Sequence, residues 1–283
     1  MGVTLSSNNF NGATATVTLY LPTGTTIPYT SATAENLGSQ TMPFTYTGTY
    51  PSWEHGVFSL FFSASGKTCI DFISTPPDGD GNEYRTILIG NQIWMSENLR
   101  TKKYQDGTDL SNTSAVNDAT WISANGSTTK YWASVNGNAA NDAIYGLLYN
   151  QFAISGSTSG ATGSNQICPS GYRVPTQTDF DVLVNYLGGN SAAGGPLKYP
   201  GTTYFNTPNT DATNASGFSA LGAGRRSDVT GAYTQFNLNG EYWSTTLISS
   251  SFYYLETNYN TANAFYQFAT DRKRGLSVRC LKN

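Results

Sequence analysis

Cys168-Pro169-Ser170-Gly171-Tyr172-Arg173-Val174-Pro175-Thr176 is the stretch on which the fold turns, together with a second run about a hundred residues later, Gly275-Leu276-Ser277-Val278-Arg279-Cys280-Leu281-Lys282-Asn283. Each holds one cysteine and one arginine. If Cys168 and Cys280 meet, everything between them is a loop displayed from a fixed base. Closing a loop of about a hundred residues stabilises by about 4–5 kcal/mol in the chain-entropy model. The chain has 3 cysteines, so one bond and one spare thiol is the economical reading. Cys69, in the strand-like run Lys67-Thr68-Cys69-Ile70-Asp71-Phe72, reads as a buried free thiol. Arg173 and Arg279, beside the two cysteines, read as structural.

Just after Thr176, the run from Asp179 to Leu187 places Phe180, Leu183, Val184 and Leu187 at helical spacing. Thr176 or Thr178 is its expected N-cap, and Gly188-Gly189 its end. Upstream, Tyr145 to Ala153 reads as a strand running into a short helix. Tyr84 to Ile89, the turn Gly90-Asn91 and Gln92 to Met95 read as a β-hairpin. Ser155 to Asn165 is expected as an exposed loop, and the chain from Gly217 onward as short strands and turns. Arg225 and Arg226 suit either an anionic ligand or a loop anchor beside Asp228. Asp271-Arg272-Lys273-Arg274 is expected as a solvated turn.

Residues 75–82 are expected as a linker, with Pro76-Pro77 for stiffness and glycines to turn it. Asp78, Asp80 and Asn82 imitate the start of a calcium loop. The twelfth position is Ile89 where such a loop needs a carboxylate, so a turn is the expectation. Residues 1–74 read as an all-β sandwich that serves attachment or assembly. Its strands are expected at Thr14 to Leu21, Phe44 to Thr47, Val57 to Phe62 and Thr68 to Ile73. His55 is the one histidine, read as a turn residue, with no second histidine to complete a zinc site.

Composition narrows the function classes. Only 12% of residues are charged, against roughly 25% in an average globular domain. Ser, Thr, Asn and Gly supply the polarity, beside 19 Tyr and 14 Phe. The net charge of −3 offers no field for nucleic acid. No run of 18 apolar residues suggests membrane insertion. The N-terminus, Met1-Gly2-Val3-Thr4-Leu5, has neither the basic nor the apolar region of a signal peptide. The expectation is a virion protein, made in the host cytoplasm and exposed after lysis, with a bacterial cell-surface protein as the alternative.

Six ordered motifs carry a resemblance. They are Asp80 to Leu99, Tyr145 to Asn150, Cys168 to Thr176, Gly217 to Leu221, Tyr242-Trp243-Ser244-Thr245-Thr246 and Gly275 to Cys280. Together they resemble the Fibrobacter succinogenes major paralogous domain, a family found in Bacteroidetes and their phages, over about residues 78–283. The resemblance implies an α+β, C-type-lectin-like domain with long loops over residues 83–283. It also implies that Cys168 and Cys280 are the family's bridged pair. Relatives of that fold include sugar-binding lectins, phage receptor-binding tips, retroelement-diversified proteins and formylglycine-generating enzymes.

Thr207-Pro208-Asn209 and Trp243-Ser244-Thr245 stand nearest to the calcium-lectin motifs and lack their carboxylates. No metal, no cofactor and no catalytic residue is therefore expected, and formylglycine-type chemistry is disfavoured. The binding candidates lie in the Tyr-, Asn- and Ser-rich run before the terminal cysteine: Tyr254, Glu256, Asn258, Tyr259, Asn260, Asn263 and Tyr266, with Arg226 added. Tyrosine offers contact area at low entropy cost, while Asn and Ser offer adaptable hydrogen bonds. In retroelement-diversified relatives the variable residues lie in this last part of the domain. The expected partners are a bacterial surface glycan or protein receptor, other virion or surface proteins held through residues 1–74, and further copies of the chain, which would add avidity.

Overall fold

The computed structural model describes residues 74–110, 118–123, 129–155, 166–249, 251–269 and 271–283, together with the backbone of five strands before residue 70. The chain divides into two compact units, Met1–Phe72 and Ile73–Asn283.

In the first unit, β1 (Gly2–Leu5), β2 (Ala15–Tyr20) and β3 (Ser39–Phe44) form an antiparallel sheet with β2 in the centre. β4 (Phe61–Phe62) pairs with β5 (Thr68–Cys69). The strand expected to start at Phe44 instead ends there and runs through Pro43, which stands opposite Thr16. β3 is an edge strand, and at an edge a residue without an N–H need not break the ladder. The readings of His55 and of the Cys69 side chain lie outside the described residues. So does the sheet-on-sheet packing that a sandwich requires.

The second unit is mixed α+β, with small sheets, few helices and no barrel. In chain order it runs β6 (Thr86–Ile89), β7 (Gln92–Met95), α1 (Asp118–Ile122), β8 (Trp132–Ser134), α2 (Asp142–Tyr145), β9 (Leu147–Tyr149), α3 (Gln151–Ile154), β10 (Tyr172–Arg173), α4 (Gln177–Tyr186), α5 (Gly194–Leu197), β11 (Arg225–Arg226), β12 (Tyr233–Thr234), β13 (Asn239–Ile248), β14 (Ser251–Asn258), β15 (Ala264–Ala269) and β16 (Leu281–Lys282). The expected hairpin is β6–β7, with Gly90 at φ 62° in its turn. The expected strand-then-helix is β9 and α3. Most of the expected loop, residues 156–165, lies outside the described residues. No described helix is long and apolar enough to cross a membrane.

β16 sits between β10 and β7, with Leu281 opposite Trp94. This insertion brings Cys280 against Cys168. The two form a disulfide, with an S–S distance of 2.03 Å and Cα atoms 6.0 Å apart. α4 starts directly after β10. Thr176 caps it, its hydroxyl accepting from the Asp179 N–H while the Asp179 carboxylate accepts from the Thr176 N–H. Phe180 of α4 stacks on Trp94 with ring centroids 5.4 Å apart.

The sheet β13–β14–β15 lies between two apolar clusters, and alternation along its strands feeds both. Trp243, Phe252 and Tyr254 enter the cluster around the disulfide. Tyr242, Leu255 and Ala264 enter the cluster that holds Trp94, Phe180 and Leu281. β13 spans 10 residues and β14 spans 8, longer than the short strands expected there. Arg279 is fully buried. Its guanidinium donates to Asn98 Oδ1 at 2.5 and 3.1 Å and to the Phe218 carbonyl, and lies 4.4 Å over the Phe218 ring. Burial pulls its pKa down to about 10, so this arginine is held by its partners against a large desolvation cost.

Residues 75–82, read as a linker, lie inside the second unit. Thr75 donates its N–H to the Tyr84 carbonyl at 2.9 Å, and both Thr75 and Asp78 are buried. The Asp78 carboxylate accepts from the backbone N–H groups of Asp80 (2.8 Å) and Asn82 (2.9 Å) and from the Tyr84 hydroxyl (2.5 Å). The calcium-like run is a turn closed on its own first carboxylate.

Candidate recognition surface

β13 begins at Asn239, β14 ends at Asn258 and β15 begins at Ala264, so one end of this sheet carries two chain reversals. Residues 235–239 and 258–263 form them, and residues 199–211 pack alongside. The backbones of the three loops are stitched together. Asn206 donates its N–H to the Asn237 carbonyl (2.7 Å), Thr210 to Tyr259 (2.8 Å) and Tyr259 to Leu238 (2.9 Å). Gly222 permits this closeness, because a Cβ there would stand 2.5 Å from the Tyr204 carbonyl oxygen and 2.9 Å from the Asn237 Cα.

Lys198 anchors the assembly from below. Its side chain is fully buried, and its ammonium donates to the carbonyls of Thr210 (2.8 Å), Asn258 (2.9 Å) and Thr261 (2.7 Å). All three ammonium protons are thus used, two on one chain reversal and one on the loop beside it. Burial pulls the pKa down to about 8, while Asp211 works in the other direction. Asn209 does a similar task inside its own loop, donating to the carbonyls of Tyr199 (2.9 Å) and Gly201 (2.6 Å).

Four non-glycine residues of these loops hold positive φ: Asn209 (46°), Asp211 (55°), Gln235 (64°) and Asn237 (57°). Each such residue costs of order 1 kcal/mol, and such strain concentrates where a surface must keep a set shape. Tyr145 underlies the face, with ring centroids 5.7 Å from Tyr204 and 5.3 Å from Phe236, and its hydroxyl donates to Asn237 Oδ1 at 3.1 Å. Tyr204, Phe236 and Tyr259 are half-buried, while Asn206 and Asn260 are exposed. Asp211 is the single charged residue in the three loops. The surface therefore offers aromatic faces, amides and hydroxyls without a charge field. Such a set suits neutral, hydroxyl- or amide-rich partners.

The family model of the Fibrobacter succinogenes major domain matches residues 87–282. The chain belongs to the Fibrobacter succinogenes major domain family. No curated protein and no solved structure matches it. The match to the major domain takes in the disulfide, α4 and all three loops of the face.

Within this major domain the predicted binding residues separate into two groups. Asn258, Tyr259, Asn260 and Asn263 lie on the loop face. Asn258 also donates its side-chain amide to Asn239 Oδ1 at 2.9 Å. Tyr254 and Glu256 are buried in β14 and take no part in the surface. Tyr266 is half-buried, and burial together with the neighbouring Asp181 carboxylate pushes its hydroxyl pKa up. Arg226, for which a loop anchor was the other expectation, is only 1% exposed, lies between Trp121 (4.5 Å) and Tyr233 (4.9 Å) and donates to the Gly231 carbonyl at 2.9 Å. It anchors a loop.

The charged turn at 271–274 also folds inward. Arg272 lies 4.2 Å over Phe152 and donates to Gln151 at 2.7 Å, while Arg274 pairs with Asp228 at 3.2 Å. Sequence reasoning missed Lys198, Tyr204, Asn206, Phe236 and Asn237. Asparagines at loop positions 209, 214 and 237, all at positive φ, were the available signal for these loops, since Asn tolerates positive φ better than most residues.

Proposed function

We propose that this protein is a non-enzymatic binding protein of a bacteriophage virion (a tail, fibre or capsid-decorating component), which recognises a bacterial surface receptor or glycan through the loop face of its second unit. The observation that carries this reading is the shape-fixed, nearly charge-free face of amides and aromatic rings, held by the buried Lys198 ammonium. The proposed fold of this unit is C-type-lectin-like. Long loops on a small sheet, with a disulfide joining the segments that lead into β10 and β16, support that proposal. Residues 1–74 serve attachment to the assembly, and a symmetric oligomer adds avidity to weak single sites. Both cysteines of the second unit are consumed in the disulfide, which supports a role without thiol chemistry.

The disulfide also favours a second reading, a bacterial cell-surface adhesin or carbohydrate-binding protein. Such bonds persist in oxidising compartments. Mass spectrometry of purified virions against surface-shaved cells distinguishes the two.

The face itself is tested by a double variant, Tyr259→Ala with Asn260→Ala, on a glycan array and on whole cells. Binding should fall by about tenfold or more, the loss expected for truncating central contacts. Unchanged binding in a variant that melts like the wild type removes this face from the function.

A further inference from the structure

β13 and β14 place Glu241 directly opposite Glu256. Directly opposed residues of an antiparallel pair share a face, with side chains in contact. Both are buried, Glu241 at 0% exposed and Glu256 at 8%. Arg225 from β11 reaches Glu241 Oε1 at 3.2 Å, and Asn239 donates to the same oxygen at 3.4 Å. The second oxygen, Oε2, is buried with no hydrogen-bond partner, and Glu256 stands directly across the strand pair from it.

The other groups around the pair leave it short of positive charge. Tyr254 of β14 accepts hydrogen bonds from Arg225 and Arg274, both at 3.3 Å. Arg274, from the segment before β16, is already paired with Asp228. β15 presents Phe265 opposite Glu256. Three carboxylates thus stand against two partly exposed guanidiniums, and the two glutamates among them are buried. Two bare carboxylates cannot hydrogen-bond each other, and a single proton between them supplies the partner that Oε2 lacks.

We propose that Glu241 and Glu256 share one proton, and that its loss as pH rises loosens the end of the sheet that carries the 258–263 turn. The lever is short, since Glu256 is two residues from Asn258, where β14 ends. Burial first, then the Glu256 charge, push the Glu241 carboxyl up to about 7 against the pull of Arg225. A carboxyl raised in the folded state gives stability that is complete below the ordinary glutamate value of about 4.5. That stability is lost as pH climbs through 7. The pair's own contribution to the firmness of the loop face is therefore greatest in mildly acidic surroundings, whatever ligand the face takes.

Amide exchange of residues 257–260 in the full chain, corrected for the intrinsic pH dependence, tests this. From pH 5.5 to 8.5 exchange should speed up by about tenfold, and Glu241→Gln and Glu256→Gln should each flatten the profile. A flat wild-type profile, or an inflection that survives in both variants, overturns the proposal. Should the variants fail to fold, wild-type infrared spectra decide. Loss of one buried protonated-carboxyl band between pH 6 and 8.5 supports a shared proton, and no change in that region overturns it.

Discussion

Lys198 does what no single-residue pattern announces. It stands after α5 in the run Pro196-Leu197-Lys198-Tyr199, where a lysine would ordinarily reach for solvent. Its ammonium instead satisfies three carbonyls drawn from two separate loops. Lys198→Met keeps the stem and strands those carbonyls, so urea unfolding should show a loss of about 3 kcal/mol or more. The pH response follows from the direction of the shift. The unfolded chain holds this proton up to about 10.5, whereas the folded chain releases it at about 8. The unfolded state binds more protons between these values, so stability from this group rises with pH across that window. Urea midpoints at pH 7.5 and 10 should show a rise in the wild type, relative to Lys198→Met, if this holds. Arg279 and the two motif cysteines were legible because they sit in compact motifs. Lys198 was not, since its partners are 12 to 63 residues away and are backbone atoms, which sequence does not distinguish.

α4 shows the opposite case, an element written almost entirely in its own ten residues and their flanks. Apolar spacing, a Thr cap and paired glycines marked both ends before any packing was known. Arg173 adds a fork onto the capping carboxylate, with bonds of 2.5 and 2.8 Å to Asp179. Thr176→Ala should cost about 1 kcal/mol, the usual loss for a capping hydroxyl. Burial works to raise the Asp179 pKa, yet the bonds from Arg173 and Thr176 hold it below the ordinary carboxylate value. Stability from Asp179 is thus present above pH 4 and lost as pH falls further, and Asp179→Asn should weaken the acid dependence of thermal melting. The β13–β14 pair was far less readable. Both of its faces are buried, so polar and apolar residues do not alternate, and Glu256 reads as a surface position. The same loss of alternation let Tyr254 and Glu256 pass for display residues.

At the scale of the whole molecule, the disulfide closes a span of 112 residues that contains α4, all three loops and the sheet beneath them. Replacing both cysteines, Cys168→Ser with Cys280→Ser, should lower stability by about 4–5 kcal/mol in the chain-entropy model. Calorimetry would place that loss in the transition of the second unit. A melting temperature unchanged by the double substitution would deny the bond its structural role. Division into two units was foreshadowed by the Pro-Pro-Asp-Gly run, but the boundary falls earlier, at Phe72 and Ile73. Asp78 explains the difference, because its carboxylate ties the run into the second unit by bonds to backbone that only a folded turn brings near.

The position of β16 bears on how the molecule comes into being. Leu281 pairs with Trp94 in the interior of a four-stranded sheet, and the residue before it, Cys280, is bonded to Cys168. A nascent chain that has made the β6–β7 hairpin must therefore wait for nearly two hundred further residues before β7 gains its second neighbour. At bacterial elongation rates of 5–20 residues per second, the delay is roughly 10–40 s. During it, the open edge of β7 is available to other chains leaving the ribosome. Yield in a recombinant host should accordingly depend on translation speed and chaperone supply more than on the stability of the finished fold.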